Sequence, residues 1–471
     1  MYNKSRYLFK NILLFFVSVF IPKTLTFFLM PLYTTKLTTD EYGTAELLNN
    51  TVQILLPIFT LQIQDAVMRF VMDRNYNKKD VISIGLNSVF RGSIIVCIIS
   101  AVIYELNKFD VTNIPNGYLI FLILNFLAYG LYNTLSYYCR GEDKVKLIST
   151  STVINALLVV AFNLIFLLIF NLGLTGYLIA NTLGILSSSV FLAITSNACK
   201  NFSWHTNKSV EKEMILFSIP MVVNALSWWI NSASDRYILT AFSGMSIVGI
   251  YSAASKIPAI LSTLGNILAN AFSISAIKDF DSDDSDGFIS NTYKRFNFGV
   301  VLLCSLLIIS NRFIANILYS MDFYIAWRYV PFLLLSVVFN LMSDVCAALF
   351  LALKKTKIIS ATSLMGAIIN TCLNFVLIPI WNGYGAAIST IIGFFAQWVL
   401  RYILVLKSVR LKISKIKIIL TYVVLVLQIV ISIRADNYGY QFLLLLMIVI
   451  LNFKEFISIV KGLRQVFSSA K

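Results

Sequence analysis

Lys23, Arg91 and Lys256 each stand inside a long apolar stretch with no acid within one helical turn. A charge at bilayer depth costs about 3 kcal/mol on insertion scales, so each needs a counter-charge. Lys and Arg are the phosphate-binding side chains, and an anionic ligand would supply that charge. The other answer is an interhelical ion pair, for instance Lys256 or Arg91 with Asp344. Arg236 is a fourth candidate cation, and its neighbour Asp235 opens a local pair instead. Asp235 and Asp344 are the candidates for coupling to a proton or Na⁺ gradient. No other cofactor and no metal is expected.

Uncharged polar residues recur around these charges. Glu46, Asn50, Gln53, Pro57, Thr60 and Gln64 step by three or four along one stretch. That spacing puts them on one helical face. Asn224, Ser227, Asn231 and Ser234 do the same in a second stretch, and Lys256, Thr263, Asn266 and Asn270 in a third. Interhelical hydrogen bonding accounts for single residues of this kind at about 1 kcal/mol each. A polar face running the length of a helix fits a water-filled cavity better.

The elements that position these residues are membrane helices. The chain has 471 residues, 58% hydrophobic and only 13% charged, with mean hydropathy +0.80. Soluble domains carry about 25% charged residues. Fourteen stretches are long enough to cross the roughly 30 Å hydrocarbon core. They are 11–34, 45–69, 82–104, 117–138, 148–170, 174–195, 214–241, 247–275, 296–316, 327–353, 358–380, 384–406, 415–433 and 438–456. The first is long and lacks a small-residue cleavage signal, so a retained helix is expected. Six scattered cysteines, none in a CxxC pair, give no disulfide or zinc framework.

The net charge of +16 is distributed, not concentrated in a nucleic-acid surface. One set of connections holds Lys36, Lys108, Arg312, Arg328 and Arg434. The alternate set holds Lys4, Arg6 and Lys10, then Arg69 to Lys79, Arg140 to Lys146, Lys354 to Lys357 and Lys407 to Lys417. Lys/Arg excess marks the cytoplasmic side, so both termini are expected there. One connection on that side carries Asp279, Asp281, Asp283, Asp284 and Asp286. A calcium loop needs Gly at position six and an acid at twelve. Counting from Asp279 gives Asp284 and Ser290, so a solvated acidic loop is the expectation. The only histidine, His205, lies in another connection, and no catalytic constellation appears.

The chain repeats itself after six spans. "TTDEYGTAEL" (38–47) matches "GMSIVGIYSA" (244–253) in place, with Gly43 against Gly249. "FNLIFLLIFNLGLTGYLIANTLG" (162–184) matches "LNFVLIPIWNGYGAAISTIIG" (373–393). There Asn163 pairs with Asn374, Asn171 with Asn382, Gly176 with Gly385 and Gly184 with Gly393. Six is even, so the repeat is parallel, about an axis along the membrane normal. The expected organisation is an N-terminal lobe at 1–200, a linker at 201–213, a second lobe at 214–408, and a hairpin and tail at 409–471.

Four segments resemble bacterial polysaccharide flippases of the Wzx type: "FFLMPLYTTKLTTDEYGTAELL" (27–48), "QDAVMRF" (64–70), "SDRYILTAFSGMSIVGIYSAASKI" (234–257) and the stretch from Leu353 to Gly393. The superfamily of that family also holds multidrug (MATE) exporters and the lipid II flippase. The resemblance implies an all-α polytopic membrane protein, two six-helix lobes plus a C-terminal hairpin. It implies transport, not enzymatic turnover, of undecaprenyl-diphosphate-linked oligosaccharide, the repeat unit of an O-antigen, capsule or exopolysaccharide. The expected partners are that glycan, the bilayer, and a polysaccharide polymerase or other assembly proteins, and no nucleic acid. The expected location is the bacterial cytoplasmic membrane. The alternatives are a drug/cation antiporter, which predicts acids dominating the cavity, and a lipid II flippase. That branch carries several arginines on its first two helices, whereas here Lys23 is the basic residue of span one and span two has none before Arg69.

Overall fold

The computed structural model describes residues 22, 24–107, 116–278, 280–434 and 438–469; side chains are described throughout these except at 231, 271, 274–278 and 462–469. The described residues are helical, with turns and no strand. In lipid a helix satisfies its own backbone hydrogen bonds, and the composition demands that solution. Eleven helices are long and apolar enough to span a membrane, or up to thirteen if each of two bent pairs is one span. The first expected span, with the basic residues before it, lies mostly outside the described residues.

The chain forms two compact units, Met1–Tyr237 and Ile238–Lys471. In the first, α1 (Met30–Lys36) leads into α2 (Thr39–Phe59), whose start is fixed by a capping box. Thr38 Oγ1 accepts from the Glu41 N–H, and the Glu41 carboxylate accepts from the Thr38 N–H. There follow α3 (Ile63–Met72), α4 (Lys78–Asn107), α5 (Leu119–Gly141), α6 (Val145–Asn163), α7 (Gly173–Thr195) and the short α8 (Ala198–Asn201). Helix α9 (Lys208–Ala254) crosses into the second unit. It is bent at Gly244, whose φ of +82° suits glycine alone, within the 242–246 break expected between two spans. Beyond it lie α10 (Lys256–Lys278), α11 (Phe288–Leu318), α12 (Val330–Ala352), α13 (Thr356–Trp381), α14 (Gly383–Leu406), α15 (Lys415–Arg434), α16 (Tyr438–Leu451) and α17 (Phe453–Ser469).

The second expected span is not one straight helix. It breaks after Phe59, bends by 57°, and resumes as α3. Pro57 lacks the N–H that would continue the ladder, and Leu61 and Gln62 sit at φ +53° and +50°. At the break the Thr60 carbonyl accepts from the Ile63 N–H at 3.2 Å and from Ser88 Oγ at 3.0 Å. The polar face drawn from Glu46 to Gln64 is therefore interrupted, and Gln64 belongs to the separate helix α3. At the other end of the chain, α16 has 14 residues, about 21 Å at 1.5 Å per residue. It then turns by 79° into α17. The sequence of α17 alternates Phe456, Ile457 and Ile459 with Lys454, Lys461 and Arg464. That is the pattern of a helix lying in a membrane interface. Lys417 Nζ on α15 holds Glu455 at 2.6 Å.

The repeat is visible in the packing. In the first unit α6 packs on α7, α5 on α7 and α3 on α5; in the second, α13 packs on α14, α12 on α14 and α10 on α12. These are the fifth–sixth, fourth–sixth and second–fourth helices of each set. The matched residues are equivalent in detail. Asn171 and Asn382 both turn the hairpin at positive φ, +48° and +49°. Asn171 Oδ1 accepts from Lys36 Nζ at 2.8 Å, and Asn382 Oδ1 from Ser243 Oγ at 2.9 Å. Each bond ties that hairpin to the one joining the first two helices. At Gly385 a Cβ would fall 2.3 Å from the Leu377 carbonyl oxygen, and at Gly176 3.1 Å from that of Phe166. Asn163 and Asn374 are both fully buried, each with its Oδ1 unpartnered.

On the basic side the acidic loop is ordered by its own carboxylates. Asp284 is fully buried and accepts from the N–H groups of Ile289 (2.9 Å) and Ser290 (3.1 Å). It therefore caps α11, where a negative charge also suits the helix dipole. Arg410 N–H donates to the Ser282 carbonyl at 2.9 Å, and Lys412 Nζ to the Asp284 carbonyl at 3.0 Å. This replaces the expected solvated loop with a docked one; Asp279 lies outside the described residues. Among the described residues no group of three or more His, Cys, Asp or Glu could hold a metal ion. Asp284→Ala is expected to cost about 1–2 kcal/mol, as for a lost cap, read as a lower melting temperature of the purified protein. The Ser285 hydroxyl, with the N–H groups of Ser285 and Asp283, holds the Asp281 carboxyl below the usual carboxylate range. Its contribution to the ordered loop is present above the ordinary aspartate pKa of about 3.9 and is lost as pH falls through the folded-state value. Faster amide exchange of 281–290 on acidification would show it.

Candidate functional site

Several candidate residues lie on the leading helices of each set, and several form ion pairs. On α2, Asn50 is buried, with Nδ2 on the Glu46 carbonyl (2.7 Å) and its own carbonyl taking the Trp229 indole N–H (2.9 Å). Gln53, one turn on, is exposed. On α9, Asn224 is exposed, and the side chain of Asn231 lies outside those described. On α10, Asn266 is half-buried and donates to Ser262 Oγ at 3.2 Å, and Asn270 is exposed. An exposed amide on an apolar helix faces water more cheaply than hydrocarbon. Lys256 is half-buried at the break between α9 and α10. Lys23 lies outside the described residues.

Several of the charges pair with acids that the structure describes. Arg91 on α4 pairs with Glu211 at the start of α9, an acid far away in sequence and not the Asp344 considered above. Arg236 and Asp235 form the local pair, at 3.4 Å, with Arg236 also donating to the Ser232 carbonyl at 2.9 Å. Arg69 pairs with Asp73 at 4.0 Å.

Asp344 pairs with a residue the sequence reading passed over. Arg401 on α14 lies 3.7 Å from Asp344 and is only 2% exposed, whereas the Asp344 side chain is 40% exposed. The guanidinium fork spends its donors on two other helices, α12 and α13. Nη1 reaches Ser343 Oγ (2.9 Å) and the Ser343 carbonyl (3.1 Å), Nε reaches Thr362 Oγ1 (2.9 Å), and Nη2 reaches Ser363 Oγ (2.7 Å) and the Ile359 carbonyl (3.2 Å). This satisfies a deeply buried charge that lysine's single ammonium could not. The available signal was Gln397 and Arg401 at i,i+4 in an otherwise apolar span, facing the Ser343–Asp344 step.

Glu46, read from the sequence as part of a polar face, stands among tyrosines. It hydrogen-bonds the Tyr42 phenol, and Asn49 hydrogen-bonds Tyr177. The Tyr33 and Tyr177 rings meet edge-on at 4.9 Å, with Tyr42 6.2 Å from each. Glu46 is thus a half-buried carboxylate among buried phenols.

A family model described as a polysaccharide biosynthesis protein matches residues 8–274, more than half of the chain. The chain belongs to that family. No curated protein sequence matches it. Among solved structures, the chain is similar to the lipid II flippase MurJ in an inward closed conformation, at 13% identity and a TM-score of 0.72, covering 97% of this chain and 99% of that one. It is also similar to a multidrug resistance MATE family transporter in an inward-facing conformation, at 12% identity and 0.64, covering 83% and 98%. The MATE transporter VcmN of Vibrio cholerae matches at 14% and 0.54, covering 86% and 97%. At such identities the likeness establishes the fold. The family member is thus a multi-pass membrane protein with the helical fold of these transporters.

Proposed function

We propose that the chain is a flippase that carries undecaprenyl-diphosphate-linked oligosaccharide from the cytoplasmic to the outer leaflet of the bacterial cytoplasmic membrane, by exposing one site to each side in turn. The observation that carries the reading is membership of a polysaccharide biosynthesis family in a chain with a flippase fold. The side chains support it. Lys256, with Lys23 on the first span, supplies positive charge for a diphosphate. Gln53, Asn224 and Asn270 offer exposed amides to a glycan. Arg91, Arg236 and Arg401 each pair with an acid, and this reading assigns the diphosphate to Lys23 and Lys256. A drug/cation antiporter would instead present carboxylates to its cargo.

Expression in a strain lacking its own flippase, supplied with defined glycan repeat units, tests the reading. Restored surface polysaccharide for some repeat units supports it; no restoration for any, with the protein present in the membrane, overturns it.

Coupling to an ion gradient rests on three carboxylates. Asp235 and Asp344 each have an arginine beside them, and Glu46 sits among tyrosines. Protonation or cation binding at any of them changes the charge of its cluster. Glu46→Gln and Asp344→Asn are each expected to reduce gradient-driven flipping about tenfold in vesicles while leaving passive exchange in place, the scale of a single charged hydrogen bond. An unchanged dependence on the imposed gradient in both variants would remove these residues from coupling.

A further inference from the structure

The exposed face of α4 changes character at Arg91. Before it stand Lys78 and Lys79; after it stand Ile94, Ile95, Ile98 and Val102, all exposed. Beside this boundary is Trp204, 68% exposed, its ring 5.5 Å from Phe90 and 5.0 Å from Phe202. A polar-to-apolar step flanked by exposed tryptophan marks headgroup level, here on the side of the basic connections. At that level a groove of about 390 Å³ runs past Asn87, Arg91 and Trp204 to Ile94, Cys97 and Leu127.

The polar end of the groove presents Arg91 and an unused acceptor, with Glu211 behind Arg91 as its ion-pair partner. Arg91 is paired with Glu211, and Thr206 Oγ1 donates to the same carboxylate at 3.1 Å. The Arg91 side chain is still 60% exposed, and its fork has five donors. Asn87 is 3% exposed; its Nδ2 holds the carbonyls of Ser203 (3.3 Å) and Trp204 (3.4 Å), while its Oδ1 has no partner. A buried acceptor without a donor costs about 1–3 kcal/mol, so this site calls for an N–H. The other end is apolar and continuous with the exposed isoleucines.

We propose that this groove holds one phospholipid with a zwitterionic, N–H-bearing headgroup, a phosphatidylethanolamine. Its phosphate lies on Arg91, its ammonium faces Glu211 and Asn87 Oδ1, and one acyl chain follows Ile94 and Cys97. A lone arginine would select an anionic lipid. An adjacent cation and anion match a headgroup that itself carries both signs, and the orphaned amide oxygen favours an ammonium with protons over a quaternary one. The lipid clamps residues 202–207 onto α4, beside the Ser203 N–H bond to Ser83 Oγ at 2.9 Å. This site does not depend on the transport reading, since it involves neither Lys23 nor Lys256.

Native mass spectrometry of the full chain in detergent, with equimolar dioleoyl phosphatidylethanolamine, phosphatidylglycerol and phosphatidylcholine, tests it. One phosphatidylethanolamine is expected to be retained about tenfold over each of the others, the scale of one charge-assisted hydrogen bond. Glu211→Gln is expected to abolish that preference. Should Glu211→Gln fail to fold, Cys97→Trp fills the apolar end without touching the charges and is expected to expel the lipid. Preference for phosphatidylglycerol, no preference in the unmodified chain, or unchanged retention in the folded variant overturns the proposal.

Discussion

Arg401→Met is expected to destabilise the second unit by about 3–5 kcal/mol, the range for removing one member of a buried charged network. The guanidinium holds Ser343, Thr362, Ser363 and the Ile359 carbonyl, and so joins α12, α13 and α14. Methionine fills much of the volume and supplies no donor, leaving those acceptors to re-pair within their own helices. Asp344→Asn should cost less, because the Asp344 side chain is 40% exposed and Arg401 keeps its other partners. Arg401→Lys should rescue little, since a single ammonium cannot replace donors pointing three ways. The check is thermal unfolding of purified protein. A melting temperature in Arg401→Met equal to that of the unmodified chain would show that the network carries no stability.

The second large effect is expected at the two lysines of the leading helices. Lys256→Ala and Lys23→Ala should each abolish surface polysaccharide while the protein remains in the membrane. A charge-assisted hydrogen bond to phosphate is worth about 1.5–3 kcal/mol, or roughly 10- to 150-fold in binding, and a diphosphate in a low-dielectric site feels each such loss fully. Lys256→Arg keeps the charge and should retain part of the activity, which a purely packing role would not predict. Normal polysaccharide in both alanine variants would remove the lysines from the cargo site.

The architecture was legible because its causes are local. Twenty apolar residues form a span wherever they fall, and Asn171/Asn382 and Gly176/Gly385 recur because both hairpins need a turn at positive φ and a close helix contact. The breaks were less legible. Pro57 alone does not announce a 57° bend, since proline is tolerated in membrane helices whose surroundings satisfy the freed carbonyl. Charge pairing was the least legible. Arg91 with Glu211 and Asp344 with Arg401 are contacts between distant parts of the chain, and an isolated charge in sequence carries no information about who faces it. The adjacent pair Asp235 and Arg236 could be read because its partners are neighbours.

Flipping itself is the most direct test. Proteoliposomes containing the chain and an undecaprenyl-diphosphate-linked oligosaccharide, labelled in one leaflet, are followed by accessibility to an added glycosidase. The account predicts that the protected pool becomes accessible much faster than in empty vesicles, and that Lys256→Ala slows it to the empty-vesicle rate. No acceleration for any lipid-linked glycan, together with efflux of a cationic drug from the same vesicles, would contradict it.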